Sequence, residues 1–121
     1  MSAGAIMTLT THVLAIVCVA MIAAGQILFK VAAGALKSAG TFLDGAVVAA
    51  VGAALAIYGA ATLLWIVLLQ HAPLNRLYAY MALSFVFVAA ASWFLFSERI
   101  GPGHLAGLGL IVAGLVVIAA S

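Results

Sequence analysis

Gln26 and Lys30 stand four residues apart, so on a helix an amide and an ammonium share one face. They lie in "AGQILFK", near the end of an apolar stretch. A second cluster opens a later apolar stretch, "PLNRLYAYMALS". There Arg76, Tyr80 and Ser84 recur at spacings of four and fall on one stripe, with Asn75 and Tyr78 on the neighbouring one. Glu98 and Arg99 follow the same stretch. Adjacent residues point in different directions on a helix, so Glu98 is free to reach Lys30 instead of Arg99. A guanidinium offers planar, bidentate donors to phosphate. Leading inward from it, a phenol and a hydroxyl suit an amphiphile with an anionic head. Plainer readings also fit. Lys30 snorkels to the headgroups, Gln26 bonds another helix, the tyrosines form an interfacial belt, and Arg76 anchors at headgroup level.

Composition restricts the setting of these residues. The chain carries four Lys/Arg and two Asp/Glu side chains, too few to clothe a soluble domain in which 69% of residues are hydrophobic. It reads as an integral membrane protein. His12, His71 and His104 are scattered over different segments, and Cys18 stands alone among apolar neighbours. Neither a metal site nor a nucleophile–base arrangement follows, so no catalysis and no cofactor is expected. A net charge of +2 without a basic run gives no surface for nucleic acid. No Lys or Arg precedes the first apolar run, which is long enough to span and does not read as a cleavable signal.

A spanning helix needs about 20 mostly apolar residues. Four stretches meet that length, approximately 10–33, 46–70, 74–96 and 104–120, in one domain over residues 1–121. "KSAGTFLDG" is a polar, glycine-bearing break, in which Asp44 is either a solvated loop residue or a cap for the second helix. "HAPLN" puts Pro73 at a helix start, and in "SERIGPGH" Pro102 fits the first turn of the fourth helix. The expected fold is all-α, a four-helix up-down transmembrane bundle, because a segment crossing lipid must satisfy its backbone internally. The second span carries a milder stripe, Tyr58, Thr62 and Trp65, read as core packing.

Lys30, Lys37 and Arg99 lie on the face of the first and third loops, and Arg76 on the other. The positive-inside rule then puts those loops in the cytoplasm and both termini outside. Four thin helices lined mostly by Ala and Gly enclose little space, so a dimer is the economical way to build a polar path. In "GHLAGLGLIVAG", Gly103, Gly107, Gly109, Ala113 and Gly114 recur at close-packing intervals, suited equally to a dimer seam and to packing inside one chain.

Ionisable groups within a span are costly, and no Asp or Glu lies deep in any of the four. Exporters of cations by proton exchange need such a carboxylate. The charges at the membrane edges here are mostly positive, which favours an anionic substrate or lipid contact.

Three segments carry a family likeness: "AGQILFK" closing the first span, "LLWIVLLQHAPLNRLYAY" joining the second to the third, and "FLFSERIGPGHLAGLGLIVAG" leading into the fourth. Along nearly its whole length the chain resembles the small multidrug resistance-like proteins, the four-helix branch of the drug/metabolite transporter superfamily. Within that branch it is similar to the subunits of the 4-amino-4-deoxy-L-arabinose-phosphoundecaprenol flippase. The resemblance implies a multi-pass protein of the bacterial inner membrane that moves a polyprenyl-phosphate-linked sugar and works as a homodimer or as a heterodimer with a similar four-helix subunit. Lys30, Arg76 or Arg99 is expected to hold the phosphate, with Gln26, Asn75, Tyr78 and Tyr80 assisting and Ser84 and Glu98 completing the site. One position departs from the drug-exporting members. They carry a glutamate eight residues before the lysine, where this chain has Ile22. Two alternatives remain, a small-molecule exporter of the same fold and a non-transporting membrane subunit of an envelope glycolipid pathway.

Overall fold

The computed structural model describes residues 9–121, and within them the chain is all-helical. The element order is α1 (Leu9–Ala39), α2 (Gly45–Leu69), α3 (Leu74–Ala79), α4 (Ala82–Phe96) and α5 (Pro102–Ala120). Four stretches are long and apolar enough to cross a membrane, and α3 with α4 makes the third, Leu74–Phe96. The chain is an all-α membrane protein. The amino terminus, which the charge bias assigns to the outside, lies beyond the described residues.

α1 is longer than the expected 10–33, running on through Lys37 to Ala39. Ala35, Leu36 and Lys37 are good helix formers and carry the helix into the polar loop. It stops at Gly40, whose φ of +76° is the left-handed conformation that ends helices and that glycine adopts without penalty. At 1.5 Å per residue, 31 residues reach about 46 Å, beyond a hydrocarbon layer of about 30 Å, so α1 tilts or projects. Asp44 caps α2, its Oδ2 accepting from the Ala46 amide at 3.1 Å.

α1 and α2 form the principal packed pair. Small residues face each other there. Ala15 and Cys18 of α1 and Ala61 of α2 are buried together with Leu68, Ala72 and Leu77. The Cys18 Sγ lies 3.4 Å from the Ala61 carbonyl oxygen, which fixes a close approach of the two backbones. Lipid gives helices no hydrophobic reason to associate, so such contacts hold the pair by van der Waals packing. Gly25 shows the limit of this closeness. A Cβ at Gly25 would lie 2.3 Å from Cε2 of Tyr58, so the ring can cross α1 only where no side chain stands.

The third span is not one straight helix. Around Tyr80 and Met81 the bonding tightens to the i→i+3 pattern. The amides of Tyr80, Met81, Leu83 and Ser84 donate to the carbonyls of Leu77, Tyr78, Tyr80 and Met81. The Ser84 hydroxyl adds a bond of 2.6 Å to the Met81 carbonyl, so the break leaves its polar groups partnered, as a membrane interior demands. Such a segment turns about 120° per residue instead of about 100°, so residues spaced by four across it no longer line up.

α5 is the least embedded helix, with Leu115 its one buried residue. A Cβ at Gly103, Gly107, Gly109 or Gly114 meets nothing within 4 Å, and Ala113 is exposed. Among the described residues, then, the small residues of α5 have open space beside them.

These glycines separate experimentally. Gly25→Ala forces Tyr58 to move and is expected to lower stability in detergent by about 1–3 kcal/mol. Gly109→Ala is expected to be neutral or stabilising by up to about 1 kcal/mol, since alanine is the better helix former and has room. Thermal unfolding of the two variants compares them.

Candidate functional site

The candidate site lies between α1 and α4 under the loop that follows α4. A groove of about 340 Å³ is lined by Ile22 and Gln26 of α1, by Ser84, Val88 and Ser92 of α4, and by Glu98, Arg99 and His104. A smaller cavity of about 140 Å³ adjoins it and adds Lys30. Gln26, Val88, Ser92 and Glu98 border both.

Local structure places each of these groups. Gln26 is held by α2: its Nε2 donates to the Tyr58 hydroxyl, and the Tyr58 ring stacks on Phe29 at a centroid distance of 5.5 Å. Ser84, Val88 and Ser92 recur every four residues and line one side of α4. α4 then ends in a tight turn. Ser97 adopts a left-handed conformation, φ 54° and ψ 30°, and the amides of Ser97 and Glu98 both donate to the Ser92 carbonyl. A residue with a side chain holds that conformation at a cost of about 1–2 kcal/mol. The turn folds Glu98 and Arg99 back over the groove, while Pro102 starts α5 and carries His104 to its rim.

The electrostatics of the groove are mixed. Lys30 Nζ lies 3.3 Å from Glu98 Oε2, with both side chains about half exposed at 56% and 46%. This is the pairing open to Glu98 from its position in the sequence. Arg99 has no hydrogen-bond or ion-pair partner among the described residues. The site therefore offers one cation already neutralised and a second uncommitted. Ile22 lines the groove at the position where, by the family resemblance, drug exporters carry a carboxylate.

The other expected site residues separate. Arg76 and Tyr80 lie in a different place, around a small pocket shared with His12, Leu115 and Ile118. Tyr80 and the His12 ring are hydrogen-bonded through the hydroxyl and Nδ1, and Arg76 donates to the backbone oxygen of Ser121 at 2.5 Å. The stripe Arg76–Tyr80–Ser84 is thus divided, because the i→i+3 segment at Tyr80–Met81 turns Ser84 into the groove and leaves the other two behind. Asn75 and Tyr78 are exposed on α3 and line neither place.

Sequence reading missed four participants. Ser92 extends the spacing of Ser84 by two further turns and was legible in principle. Tyr58, read as core, instead holds Gln26 from 32 residues away. His12 gave no periodic signal, since it meets Tyr80 only across helices, and His104 lines the groove from the first turn of α5 with no polar residue at helical spacing from it. Among the described residues no group of His, Cys, Asp and Glu could hold a metal ion.

The model of the EamA-like transporter family matches residues 2–120. The chain belongs to the EamA-like transporter family. This EamA-like chain is also 37% identical over 67 residues to the probable 4-amino-4-deoxy-L-arabinose-phosphoundecaprenol flippase subunit ArnE of Salmonella typhimurium. The corresponding proteins of Salmonella newport and Salmonella paratyphi B match equally. The matched stretch is 55% of this chain and spans 60% of the length of each relative. No solved structure matches it.

Double-mutant cycles test how the site is held. Gln26→Leu with Tyr58→Phe is expected to give a coupling of about 0.5–1.5 kcal/mol, typical of a hydrogen bond between membrane helices. Lys30→Ala with Glu98→Ala is expected to stay below about 1 kcal/mol, since both groups are half exposed.

Proposed function

We propose that this EamA-like protein moves a polyprenyl-phosphate-linked amino sugar across the bacterial inner membrane, as one subunit of a dimer of four-helix chains. The observation that carries this reading is the uncommitted Arg99 standing beside Glu98 in one groove. A 4-amino sugar joined to a phosphate presents an ammonium and an anion on one head. Arg99 takes the phosphate through its planar fork, with the His104 ring beside it. Glu98, already engaged with one ammonium, takes the sugar's amine in exchange for Lys30. Gln26, Ser84 and Ser92 offer neutral donors and acceptors to the sugar hydroxyls.

The fold suits such a cargo. Only the head needs a polar path, and the groove supplies one along α1 and α4. Ile22 leaves that path without a deep carboxylate, which disfavours cation export by proton exchange. Arg76, Tyr80 and His12 form the other polar station and receive or release the head away from the groove. The small residues of α5, with open space beside them, are available to a second subunit, either another copy or a similar chain. The charge bias orients the groove end toward the cytoplasm.

Translocation in proteoliposomes, followed with a labelled undecaprenyl-phosphate amino sugar, tests the assignment. Arg99→Gln is expected to slow translocation at least tenfold. Glu98→Gln is expected to lower the preference for the amino sugar over its neutral hydroxyl analogue by about tenfold, one lost charged contact. Asn75→Ala leaves both unchanged. Unaltered translocation in Arg99→Gln refutes the phosphate site, and proton-driven uptake of a cationic dye would favour an exporter instead.

A further inference from the structure

α4 is flanked by cavities on both sides. The polar groove lies toward α1. On the side toward α5 is a second cavity of about 450 Å³, lined by Val86, Ala89, Ala90, Trp93, Ile100, Leu105 and Leu108. Every lining side chain of this second cavity is apolar in character apart from the indole nitrogen of Trp93. Val86, Ala89, Ala90 and Trp93 recur at helical spacing and make one face of α4, while Leu105 and Leu108 face them from α5. The two cavities meet. Ala89 and Ile100 line both, and Ala89 is the one buried residue of α4. Ala89 and Ile100 are therefore the shared wall of a groove holding Arg99 and a groove holding only apolar surface.

We infer that the α4–α5 groove is the seat of the head-proximal isoprene units of the same amphiphile whose phosphate lies against Arg99. This inference rests on the proposed function and adds where the chain of the substrate is bound. Three features favour a prenyl chain as the occupant. The apolar groove shares Ala89 and Ile100 with the charged one, so a molecule with a phosphate joined directly to a branched hydrocarbon reaches from one to the other with no polar atom in the apolar half. His104 and Leu105 are consecutive on α5, one bordering the polar groove and the other the apolar groove, so the change of lining occurs within one turn of helix. Ala89 and Ala90 present only methyl groups, which leaves a methyl-branched chain room beside α4. Only the first units are held. The remainder stays in the bilayer, which needs no help from protein to dissolve it.

Trp93 gives the test its signal, since it lines this groove and the only other tryptophan is Trp65. In a Trp65→Phe background, the full chain is reconstituted in phosphatidylcholine nanodiscs and Trp93 fluorescence is recorded. The probes are polyprenyl phosphate brominated on its first isoprene units, the equally brominated prenyl alcohol, and chain-brominated phosphatidylcholine. The expected result is saturable quenching by the phosphate alone, with its midpoint raised about tenfold by Arg99→Gln. Ala90→Phe, which fills the groove, is expected to abolish the saturable part and to slow glycolipid translocation at least fivefold. Quenching by the phosphate no stronger than by brominated phosphatidylcholine overturns the inference, because the groove then holds bulk lipid. Disulfide crosslinking between Leu108→Cys copies, with no saturable quenching, also overturns it and assigns the groove to a second copy. If saturable quenching occurs without translocation, the tail site stands and the transport reading fails. If Arg99-dependent translocation occurs while Ala90→Phe is silent, the transport reading stands and the tail site fails.

Discussion

The close approach of α1 and α2 at Gly25 sets the geometry of the rest of the chain. In lipid, helices associate by fit, because the surrounding tails are as apolar as the side chains. Ala15 and Cys18 meet Ala61 at one level, and at another the bare backbone of Gly25 admits the ring of Tyr58. That ring then does three things at once. It covers α1, stacks on Phe29, and presents its hydroxyl to Gln26. An amide a turn inside the membrane would otherwise have to find a partner for itself. Here one donor is satisfied by α2, and the group stays at the wall of the groove.

The remaining polar groups are placed by irregularities of the backbone. At Tyr80–Met81 the third span tightens, and the Ser84 hydroxyl binds the Met81 carbonyl. The same tightening turns Ser84 away from the stripe that Arg76 begins. At the far end of α4, the left-handed Ser97 bends the chain so that Glu98 and Arg99 lie over the groove and not beyond the helix end. The first keeps the amides of Tyr80, Met81, Leu83 and Ser84 bonded within the span, and the second returns the amides of Ser97 and Glu98 to the Ser92 carbonyl. The result is a chain with two polar stations, one built on Gln26, Glu98 and Arg99 and the other on His12, Arg76 and Tyr80, with no lining residue in common.

α5 has a different character. It touches α3 and α4 lightly, buries Leu115, and leaves its glycines facing open space. Its loose seat leaves the apolar groove along α4 open, whereas α1 and α2 are closed against each other. On the proposed reading, an amphiphile held partly in the bilayer gains from this asymmetry: the closely packed α1–α2 pair holds the polar wall, and one lightly packed helix borders the apolar groove.

By itself the sequence determined the class of the protein and most of its element starts. Apolar stretches of spanning length leave no alternative to helices, and Asp44, Pro73 and Pro102 mark beginnings through local chemistry that does not depend on packing. It also brought Lys30 and Glu98 within reach of each other, because both fall at the same end of their spans. Its segments carried the family as well. It fell short at two points. The first helix continues past its expected end, since nothing stops it before Gly40, and the third loses the stripe from Arg76 to Ser84. Only the tertiary structure decided which polar residues act together. Tyr58 reaching Gln26 and His12 meeting Tyr80 are contacts between helices far apart in the chain, and Arg99 shares its groove with Gln26 of α1. Helical periodicity reports which residues share a face of one helix. It carries no information on which face of another helix comes to lie opposite, and that is fixed by the small residues through which α1 and α2 meet.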